Sequence, residues 1–390
     1  MYGTACAEAF GSLAALPPDA RVLIDQAPGL FAGTRWWQVV VSDAMPAGAA
    51  PVFVVVRDAG PVAAVLPMRL DRGGLSSLTT PFTCEYTPLV APGLDETAQV
   101  GAMTALAGFC RRFGVVRLDA LPAEWEGIGA LTEGARAAGL QALRFDHFGN
   151  WSEDVAGVSW SSYLLARPGA LRETIRRRLR GAERLGNARF ELLADARQMD
   201  RAAAAFEAVY QRSWKEPEPF SRFNVAFMRS MAEAGLLRFG LWSLGTQPVA
   251  VQLWVVHGGC ATVLKLAHDE AFKAHSPGTV LTALMLRHLL DEERVAKIDF
   301  GRGDDAYKQG WAATRRQRVG VLLVNPWRPA GAAELIRHVA GRVRAAAGEW
   351  SARCPRPILS HADPSSSRGD QKGPAEAQCC RWKLPARLRL

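Results

Sequence analysis

The residues with the clearest chemical potential begin at His268-Asp269-Glu270 and continue through His275-Ser276-Pro277-Gly278-Thr279, where a helix is predicted over 278–292. A Pro-Gly pair at a helix start leaves backbone N–H groups free and lets a ligand approach without a Cβ in the way. Those donors and the positive end of the helix dipole suit a phosphate or diphosphate, to which Ser276 and Thr279 add hydroxyl groups. An ordinary capped helix is the alternative interpretation.

A second polar stretch runs from Lys297 to Trp311, where a short apolar strand ends in Gly301 and Gly303. Strand ends in open sheets are common ligand sites. The polar residues of this stretch are Asp299, Arg302, Asp304, Asp305, Tyr307 and Lys308. They are more than a turn requires, although a salt-bridged turn remains the alternative. The two glycines do not form a dinucleotide-binding fingerprint, because the third glycine and the following long helix are absent.

The elements that must position these stretches repeat along the chain. In the second half, alternating apolar residues predict strands at 189–193, 237–243, 248–256, 260–267, 295–300 and 319–324, with helices at 199–210, 224–234 and 278–292. The first half predicts strands at 52–57, 62–70, 115–120 and 142–148, with helices at 97–113 and 128–138. The shared order, with Pro-Gly before the main helix of each half, predicts two similar lobes over 1–155 and 156–350.

Composition narrows the class of protein. Hydrophobic residues make up 49% and charged residues 22%, as in a globular protein, and no apolar run is long enough to predict a membrane-spanning helix. The N-terminus lacks the charged start of a secretory signal, so a cytoplasmic location is expected. Seven cysteines without a CxxC pair, and histidines without HExxH, favour neither a disulfide framework nor a metal site.

The net charge of +9 is concentrated in two segments. Residues 167–184 contain seven arginines and two glutamates, and residues 351–390, interpreted as a disordered basic tail, contain eight basic and three acidic residues. In the first segment Leu171, Ile175 and Leu179 predict a helix with one buried stripe and an arginine-covered surface. This distribution weakens a nucleic-acid interpretation and indicates no specific nucleic-acid partner.

Taken together, Ser213-Trp214-Lys215, the run from Lys265 to Glu270, Ser276 to Thr279, and Asp299 to Lys308 resemble the CelD-like branch of the GNAT acyltransferases. That cellulose-biosynthesis type is related to the Fem-type two-lobed transferases. The resemblance implies an α/β fold with two tandem GNAT-like lobes, each a mixed, mostly antiparallel sheet flanked by helices. The usual GNAT diphosphate loop is replaced here by Ser-Pro-Gly-Thr.

The resemblance also implies the chemistry. Acetyl-CoA or another acyl-CoA is the expected co-substrate, and a small-molecule or glycan-precursor acceptor attacks the thioester directly. A cell-envelope or exopolysaccharide precursor is the suggested acceptor. The expected donor contacts are Lys265, Ala267, Ser276, Gly278 and Thr279, the last three around the diphosphate.

For proton transfer we expect Asp304 as base and Tyr307 as acid, with His268 as an alternative base. The expected substrate contacts are Trp214, Lys215, Asp269, Glu270, Arg302 and Lys308. Phe82, Cys84, Glu85 and Tyr86 are candidate acceptor contacts from the first lobe, although core packing is the alternative for the aromatic ones.

The donor site is assigned to the second lobe by a contrast in charge. The matching helix of the first lobe begins at Leu94-Asp95-Glu96, whose carboxylates would repel a diphosphate. Two other functions stay open: a Fem-type transferase using aminoacyl-tRNA, and a non-catalytic protein that binds through its basic segments. The acceptor, the acyl chain length, N- or O-acylation and the oligomeric state do not follow from the sequence.

Overall fold

The protein is described by a computed structural model over residues 5–58 and 60–353, with side-chain surroundings to residue 341. The strands are β1 (Cys6–Phe10), β2 (Ala50–Arg57), β3 (Val62–Asp71), β4 (Gly74–Ser77), β5 (Leu89–Val90), β6 (Val115–Pro122), β7 (Gln141–Asp154), β8 (Ala188–Leu193), β9 (Leu237–Leu244), β10 (Gln247–His257), β11 (Cys260–His268), β12 (Lys297–Arg302) and β13 (Thr314–Val324). The helices are α1 (Pro18–Asp25), α2 (Thr34–Asp43), α3 (Glu96–Cys110), α4 (Gly127–Ala137), α5 (Trp160–Leu165), α6 (Gly169–Arg184), α7 (Met199–Gln211), α8 (Phe223–Glu233), α9 (Pro277–Asp291), α10 (Lys308–Trp311) and α11 (Pro329–Arg353).

The predicted α/β class, a mixed and mostly antiparallel sheet flanked by helices, is confirmed. The strands form one sheet in the order β1-β2-β3-β4-β6-β13-β7-β12-β11-β10-β9-β8, with β5 beside β3. Within the described residues, only the pairs β4–β6 and β11–β12 are parallel. Each half therefore contributes one parallel pair. In the chain, the two strands of each pair are separated by the main helix of that half, which is α3 in the first half and α9 in the second.

The two halves exchange their last strands. β7 belongs to the first half in sequence but pairs with β12 of the second half, while β13 pairs with β6 of the first half. β7 and β13 also pair with each other, from Thr314 opposite Ser152 to Val324 opposite Gln141. This exchange joins the two predicted sheets into one continuous sheet.

Strand β10 illustrates how the sequence builds the two faces of the sheet. Val251, Leu253 and Val255 belong to the apolar cluster that includes α7 and α8, whereas Ala250 and Trp254 belong to the cluster with α9. Alternate side chains of a strand point to opposite faces, so β10 is buried on both. Helices α7 and α9 therefore pack on opposite faces of the sheet.

The predicted boundary at 155/156 falls between β7 and α5 and remains a prediction. The predicted tail, 351–390, lies outside the described residues except for 351–353, which end α11. Within the described residues, no helix has the length and apolar character needed to cross a membrane.

Candidate functional site

The start of α9 is the first component of the site. Ser276 precedes the helix in a left-handed conformation (φ 52°), and no side chain caps the helix in the described part of the chain. Val280 N–H donates to the Ser276 carbonyl at 3.1 Å, and Pro277 has no N–H to satisfy. The N–H groups of Gly278 and Thr279 are therefore available to an anion, at the positive end of a helix of 15 residues.

A cavity of about 510 Å³ opens onto this helix start, and we call it the α9 pocket. Its lining includes Leu171, Trp214, Leu266, His268, Lys273, Ser276, Gly278, Thr279, Tyr307 and Trp311. The mixture of apolar walls and a few donors at one end matches the general character of cofactor sites.

His268 lies at the end of β11 against the α9 start. Its Nδ1 is buried and has no hydrogen-bond partner among the described residues, and a Cβ added to Gly278 would lie 3.5 Å from that nitrogen. The ring packs on Trp214 with centroids 4.4 Å apart, while Nε2 is 3.4 Å from a Glu270 carboxylate oxygen. Burial lowers the pKa of His268 and outweighs the opposite influence of Glu270.

Strands β11 and β12 diverge below the helix start. Their parallel pairing runs only from Cys260 opposite Lys297 to Thr262 opposite Asp299. Beyond it, Leu253 faces Lys265 and Trp254 faces Val263, which leaves Leu264 as an extra residue that bulges β11. Because the pairing with β12 ends at Thr262, the edge of β11 towards β12 has no strand partner from Val263 onward among the described residues, and its backbone groups face the gap.

Gly301 lies where the backbone of β12 passes close to the backbone of β11. It has a φ of 67°, and a Cβ there would lie 2.4 Å from the carbonyl oxygen of Val263. A side chain would thus collide with β11 backbone, and only glycine fits. Its N–H donates to Asp299 Oδ1 at 2.7 Å, which also accepts from Asn150 at 2.7 Å.

The gap holds a second cavity of about 240 Å³, which we call the strand pocket. Its lining is Pro81, Phe82, Cys84, Trp214, Lys215, Val263, Leu264, Lys265, Leu266, Phe300, Arg302, Asp305, Tyr307 and Lys308. Trp214, Leu266 and Tyr307 line both pockets, and Trp214 and Tyr307 are 51% and 43% exposed. The two pockets therefore meet at these residues, beside the unpaired edge of β11.

Lys265 and Lys308 are each held by neighbours in the strand pocket. Lys265 forms an ion pair with Glu218 and lies 4.0 Å from the centre of the Phe82 ring. Desolvation lowers the pKa of Lys265 to about 8, despite the carboxylate beside it. Lys308 is buried, and its Nζ donates to the Arg302 carbonyl at 2.7 Å.

Ten of the predicted site residues line one pocket or the other: Trp214, Lys215, Lys265, His268, Ser276, Gly278, Thr279, Arg302, Tyr307 and Lys308. Sequence reasoning thus grouped residues from four segments that the fold brings together. Lys265 lies in the strand pocket rather than at the diphosphate end. Of the first-lobe candidates, Phe82 and Cys84 line the strand pocket, whereas the hydroxyl of Tyr86 donates to the Pro67 carbonyl in the core.

Asp304 lies apart from both pockets. Its carboxylate forms an ion pair with Arg315 and accepts from Trp151 Nε1 at 2.8 Å. These hydrogen bonds, the one to Arg315 first, lower the pKa of Asp304. The neighbouring Asp305 lines the strand pocket instead, 3.2 Å from Lys308 Nζ.

The other three predicted residues make contacts within the protein and line neither pocket. Asp269 is buried, caps the 3-10 helix Glu270–His275 and pairs with Arg212 at 2.6 Å. Ala267 is buried and pairs with Val251 in the sheet. Glu270 contacts His268, as described above, but lines neither pocket.

Glu218 is a residue that sequence reasoning missed. It belongs to the loop between α7 and α8 and reaches Lys265 on β11. The surrounding Glu216-Pro217-Glu218-Pro219 run has no strand or helix period that would predict its direction. The charge of Glu218 could have predicted an ion pair with a lysine, but the sequence does not identify Lys265 as that lysine.

The arginine-rich segment forms α6, as predicted, with Ile175 fully buried. α6 packs on α9, and Arg178 donates to the Ala274 carbonyl at 2.7 Å, just before the α9 start. Leu171 of the same helix lines the α9 pocket. α6 therefore forms part of the wall around the free N–H groups.

The first half has a corresponding cavity of about 730 Å³, which we call the first-half pocket. It includes residues 90–94 before α3, and also Glu85, Glu124, Glu126 and Arg316. Asp95 caps α3, accepting from Ala98 N–H at 2.8 Å, and Glu96 adds a second carboxylate to the first turn. The described residues of the whole chain contain no cluster suited to a metal ion.

Residues 169–309 match the family described as Acetyltransferase (GNAT) domain. Among solved structures, FemX has a TM-score of 0.54 and 12% identity, with 82% of this chain and 98% of that chain covered. A tandem GNAT protein from the clavulanic acid biosynthesis pathway has a TM-score of 0.46 and 15% identity, over 81% and 98% of the two chains. The C-terminal domain of a putative lysylphosphatidylglycerol synthetase from Agrobacterium fabrum has a TM-score of 0.47 and 13% identity, over 71% and 85%.

No curated protein sequence matches the chain. The match to the GNAT domain includes α6, α9, β11 and β12, and it indicates an acyltransferase. The likeness to FemX shows the fold alone.

Proposed function

We propose that the protein is an acyl-CoA-dependent N- or O-acyltransferase whose donor occupies the α9 pocket. The observation that carries this proposal is the uncapped start of α9 at the end of a large pocket, inside the segment that matches the GNAT domain. The CoA diphosphate would accept hydrogen bonds from the N–H groups of Gly278 and Thr279 and from the hydroxyls of Ser276 and Thr279. Arginines of α6 would then lie near the adenosine end.

The thioester would reach the gap between β11 and β12, where the two pockets meet. There the amine or hydroxyl of an acceptor in the strand pocket attacks the thioester carbonyl, and the carbon–sulfur bond breaks. Backbone N–H groups on the unpaired edge of β11, near Ala267 at its far end, polarise the carbonyl oxygen. No covalent intermediate with the enzyme is required. An acetyl donor and an envelope or exopolysaccharide precursor remain our preferred pair of substrates.

Two protons must move in this reaction. Tyr307 lines both pockets and carries a phenol that is protonated at neutral pH, so we assign it as the acid that protonates the leaving thiolate. We assign the base to Asp305, which lines the strand pocket beside Lys308, rather than to Asp304, which lines neither pocket and is paired with Arg315. His268 is assigned to the donor, because its unpartnered Nδ1 lies at the α9 start.

The test is calorimetric titration of acetyl-CoA and CoA into the full chain and into two glycine variants. Gly278→Glu places a carboxylate at the diphosphate position, and an added Cβ there makes only an ordinary contact. We expect binding to weaken about 100-fold or more, since like charges at short range repel by several kcal/mol near a protein surface. Gly129→Glu in α4 is the matched control, because it is exposed, nothing lies near its Cβ, and it should bind CoA normally.

A folded wild type that binds neither ligand would overturn this function. The second candidate is then a transferase that takes aminoacyl-tRNA, which the likeness to the FemX fold supports. Against it, α7 and α8 are only 13 and 11 residues long, so residues 199–233 do not form the long helical arm expected of Fem-type proteins. Transfer of a radiolabelled amino acid from charged tRNA would distinguish the two.

A further inference from the structure

The strand pocket has an unusual excess of positive charge. Its lining carries four cationic side chains, Lys215, Lys265, Arg302 and Lys308, against one carboxylate, Asp305. Lys308 is paired with Asp305, and Lys265 with Glu218 just outside the lining. These two lysines are therefore neutralised by the protein itself.

Arg302 is also occupied by protein groups. Its guanidinium lies 3.1 Å from His147 Nε2, donates to the Thr83 carbonyl at 3.4 Å, and lies 4.1 Å from the centre of the Phe148 ring. Such contacts hold the side chain in one orientation. They supply no negative charge, so the positive charge of Arg302 still acts on the pocket.

Lys215 is the lysine of this lining for which the described residues provide no salt bridge. Its Nζ lies 5.4 Å from the centre of the Trp214 ring, and within the described part of the chain it forms no salt bridge. Desolvation lowers the pKa of Lys215 and outweighs the opposite influence of the Glu218 and Asp305 carboxylates, so its surroundings disfavour the charged form. A ligand with a negative charge would remove this penalty.

The position of Lys215 indicates along which cavities a ligand bound to it would extend. Lys215 lines the strand pocket and also a neighbouring cavity of about 360 Å³ that contains Tyr210 and Glu218. Trp214, the residue before it, lines both the strand pocket and the α9 pocket. A molecule anchored by an anionic group at Lys215 can thus extend past Trp214 towards the place where the pockets meet.

From this arrangement we infer that the acceptor is an anion, with a carboxylate or phosphate bound by Lys215 and the attacking amine or hydroxyl directed at the thioester. The inference rests on the proposed acyl transfer. The same positive field favours the reaction of an amine acceptor, because nearby cations disfavour an ammonium ion and promote the free amine that attacks. A polycationic acceptor would instead be repelled from the pocket.

Lysine reactivity in the full chain tests the inference without knowledge of the acceptor. The protein is saturated with a CoA analogue that lacks the thiol, methylated briefly with formaldehyde and a mild reductant, and mapped by peptide mass spectrometry. The reaction is repeated with inorganic phosphate, with acetate, and with acetamide or chloride as controls at equal ionic strength. A bound anion stabilises the ammonium form, so we expect Lys215 to be methylated about tenfold more slowly with phosphate or acetate.

The two anions separate the two sources of charge. If phosphate alone protects Lys215 from methylation, the acceptor carries a phosphate group. If acetate alone protects it, the acceptor carries a carboxylate. Equal reactivity of Lys215 under all conditions would overturn the inference. So would protection by acetamide, or equal slowing of the exposed Lys273, which would indicate screening rather than binding.

The methylation rate of Lys273 distinguishes a failure of the proposed function from a failure of this inference. It lines the α9 pocket and is 75% exposed, so the CoA analogue should slow its methylation while the anions should not. If the analogue leaves Lys273 unchanged, the donor assignment fails, and the response of Lys215 to anions can still be read in the same spectra.

Discussion

The two halves of the molecule contain two corresponding helix starts that differ in their capping and in the charge of their first turn. A Pro-Gly pair lies shortly before α3 and forms the first two residues of α9, and both helices connect the strands of a parallel pair. α3 begins with a cap from Asp95 and a second acid, Glu96, whereas α9 begins with no side-chain cap and no acid in its first turn. The first-half pocket is nevertheless the larger, at about 730 Å³ against about 510 Å³. The free donors at the start of α9, rather than the size of the cavity, therefore support our proposal that the donor binds in the second half.

The pockets also differ in how their charges are used. In the first-half pocket, Glu85 pairs with the buried Arg318 at 2.8 Å, and Glu124 is 3.7 Å from Arg316 and Arg318. The carboxylates of Glu85 and Glu124 therefore form ion pairs that hold β13 in the sheet. In the strand pocket Lys215 forms no salt bridge with any described residue, and Asp305 lines the cavity. One fold therefore supports a structural site and a candidate catalytic site, and the side chains decide which is which.

The largest expected difference between the halves is in catalysis. Asp305→Asn removes the proposed base, so we expect kcat to fall by about 10²- to 10⁴-fold. Glu126→Gln removes a carboxylate from the first-half pocket and should leave kcat unchanged. The measurement is release of CoA thiol at saturating acetyl-CoA and acceptor, with thermal melting to confirm that both variants fold.

The neighbouring Asp304 sharpens this test. Asp304→Asn weakens the ion pair with Arg315 but leaves the strand pocket intact, so kcat should change only a few-fold. A greater loss of kcat in Asp304→Asn than in Asp305→Asn would return the base to Asp304, as the sequence suggests, and would contradict our assignment.

A smaller effect is expected in the pH dependence of donor binding. The pKa of His268 is lowered in the empty pocket, chiefly by desolvation, although Glu270 opposes this and Lys273 adds to it. A diphosphate near Nδ1 would favour the imidazolium and raise that pKa. The affinity should therefore increase as the pH falls through the bound-state pKa, and level off below the pKa of the empty pocket.

Dephospho-CoA is the suitable probe for this linkage, since it lacks the 3′-phosphate that titrates near pH 6. We expect its affinity to rise about 3- to 10-fold between neutral and mildly acidic pH in the wild type, as one pKa unit corresponds to a factor of ten. His268→Gln should abolish the rise. An unchanged pH profile in the variant would place His268 away from the diphosphate.

The sequence was most informative where the signal is local. Pro277 and the apolar period predicted α9 at 278–292, one residue from its observed bounds, and Asp95-Glu96 predicted the contrast with α3. The same local periods predicted an order of strands and helices, and the resemblance to the GNAT acyltransferases then implied the α/β class. These features depend on residues within one or two turns of each other, which the sequence displays directly.

What the sequence could not predict depends on distant partners. β7 was predicted over 142–148 but extends to Asp154, because its second part pairs with β12 and β13. Which of Asp304 and Asp305 faces the cavity is decided by Gly303, at a φ of 106°, and by Arg315 from β13. Neither long-range pairing nor the direction of a turn residue is encoded in a local pattern.

The smallest expected effects concern the two residues that precede the helices. Asp95→Ala removes a cap hydrogen bond of 2.8 Å, so it should lower the free energy of unfolding by about 1 kcal/mol without changing CoA affinity. Ser276→Ala removes no cap, so stability should change by less than about 0.5 kcal/mol. Its CoA affinity should nevertheless fall several-fold, through loss of a hydroxyl donor of about 1 kcal/mol. Urea denaturation and CoA titration of both variants measure the four values. If Ser276→Ala lost stability and kept its CoA affinity, Ser276 would be a cap like Asp95, and the difference between the two helix starts would disappear.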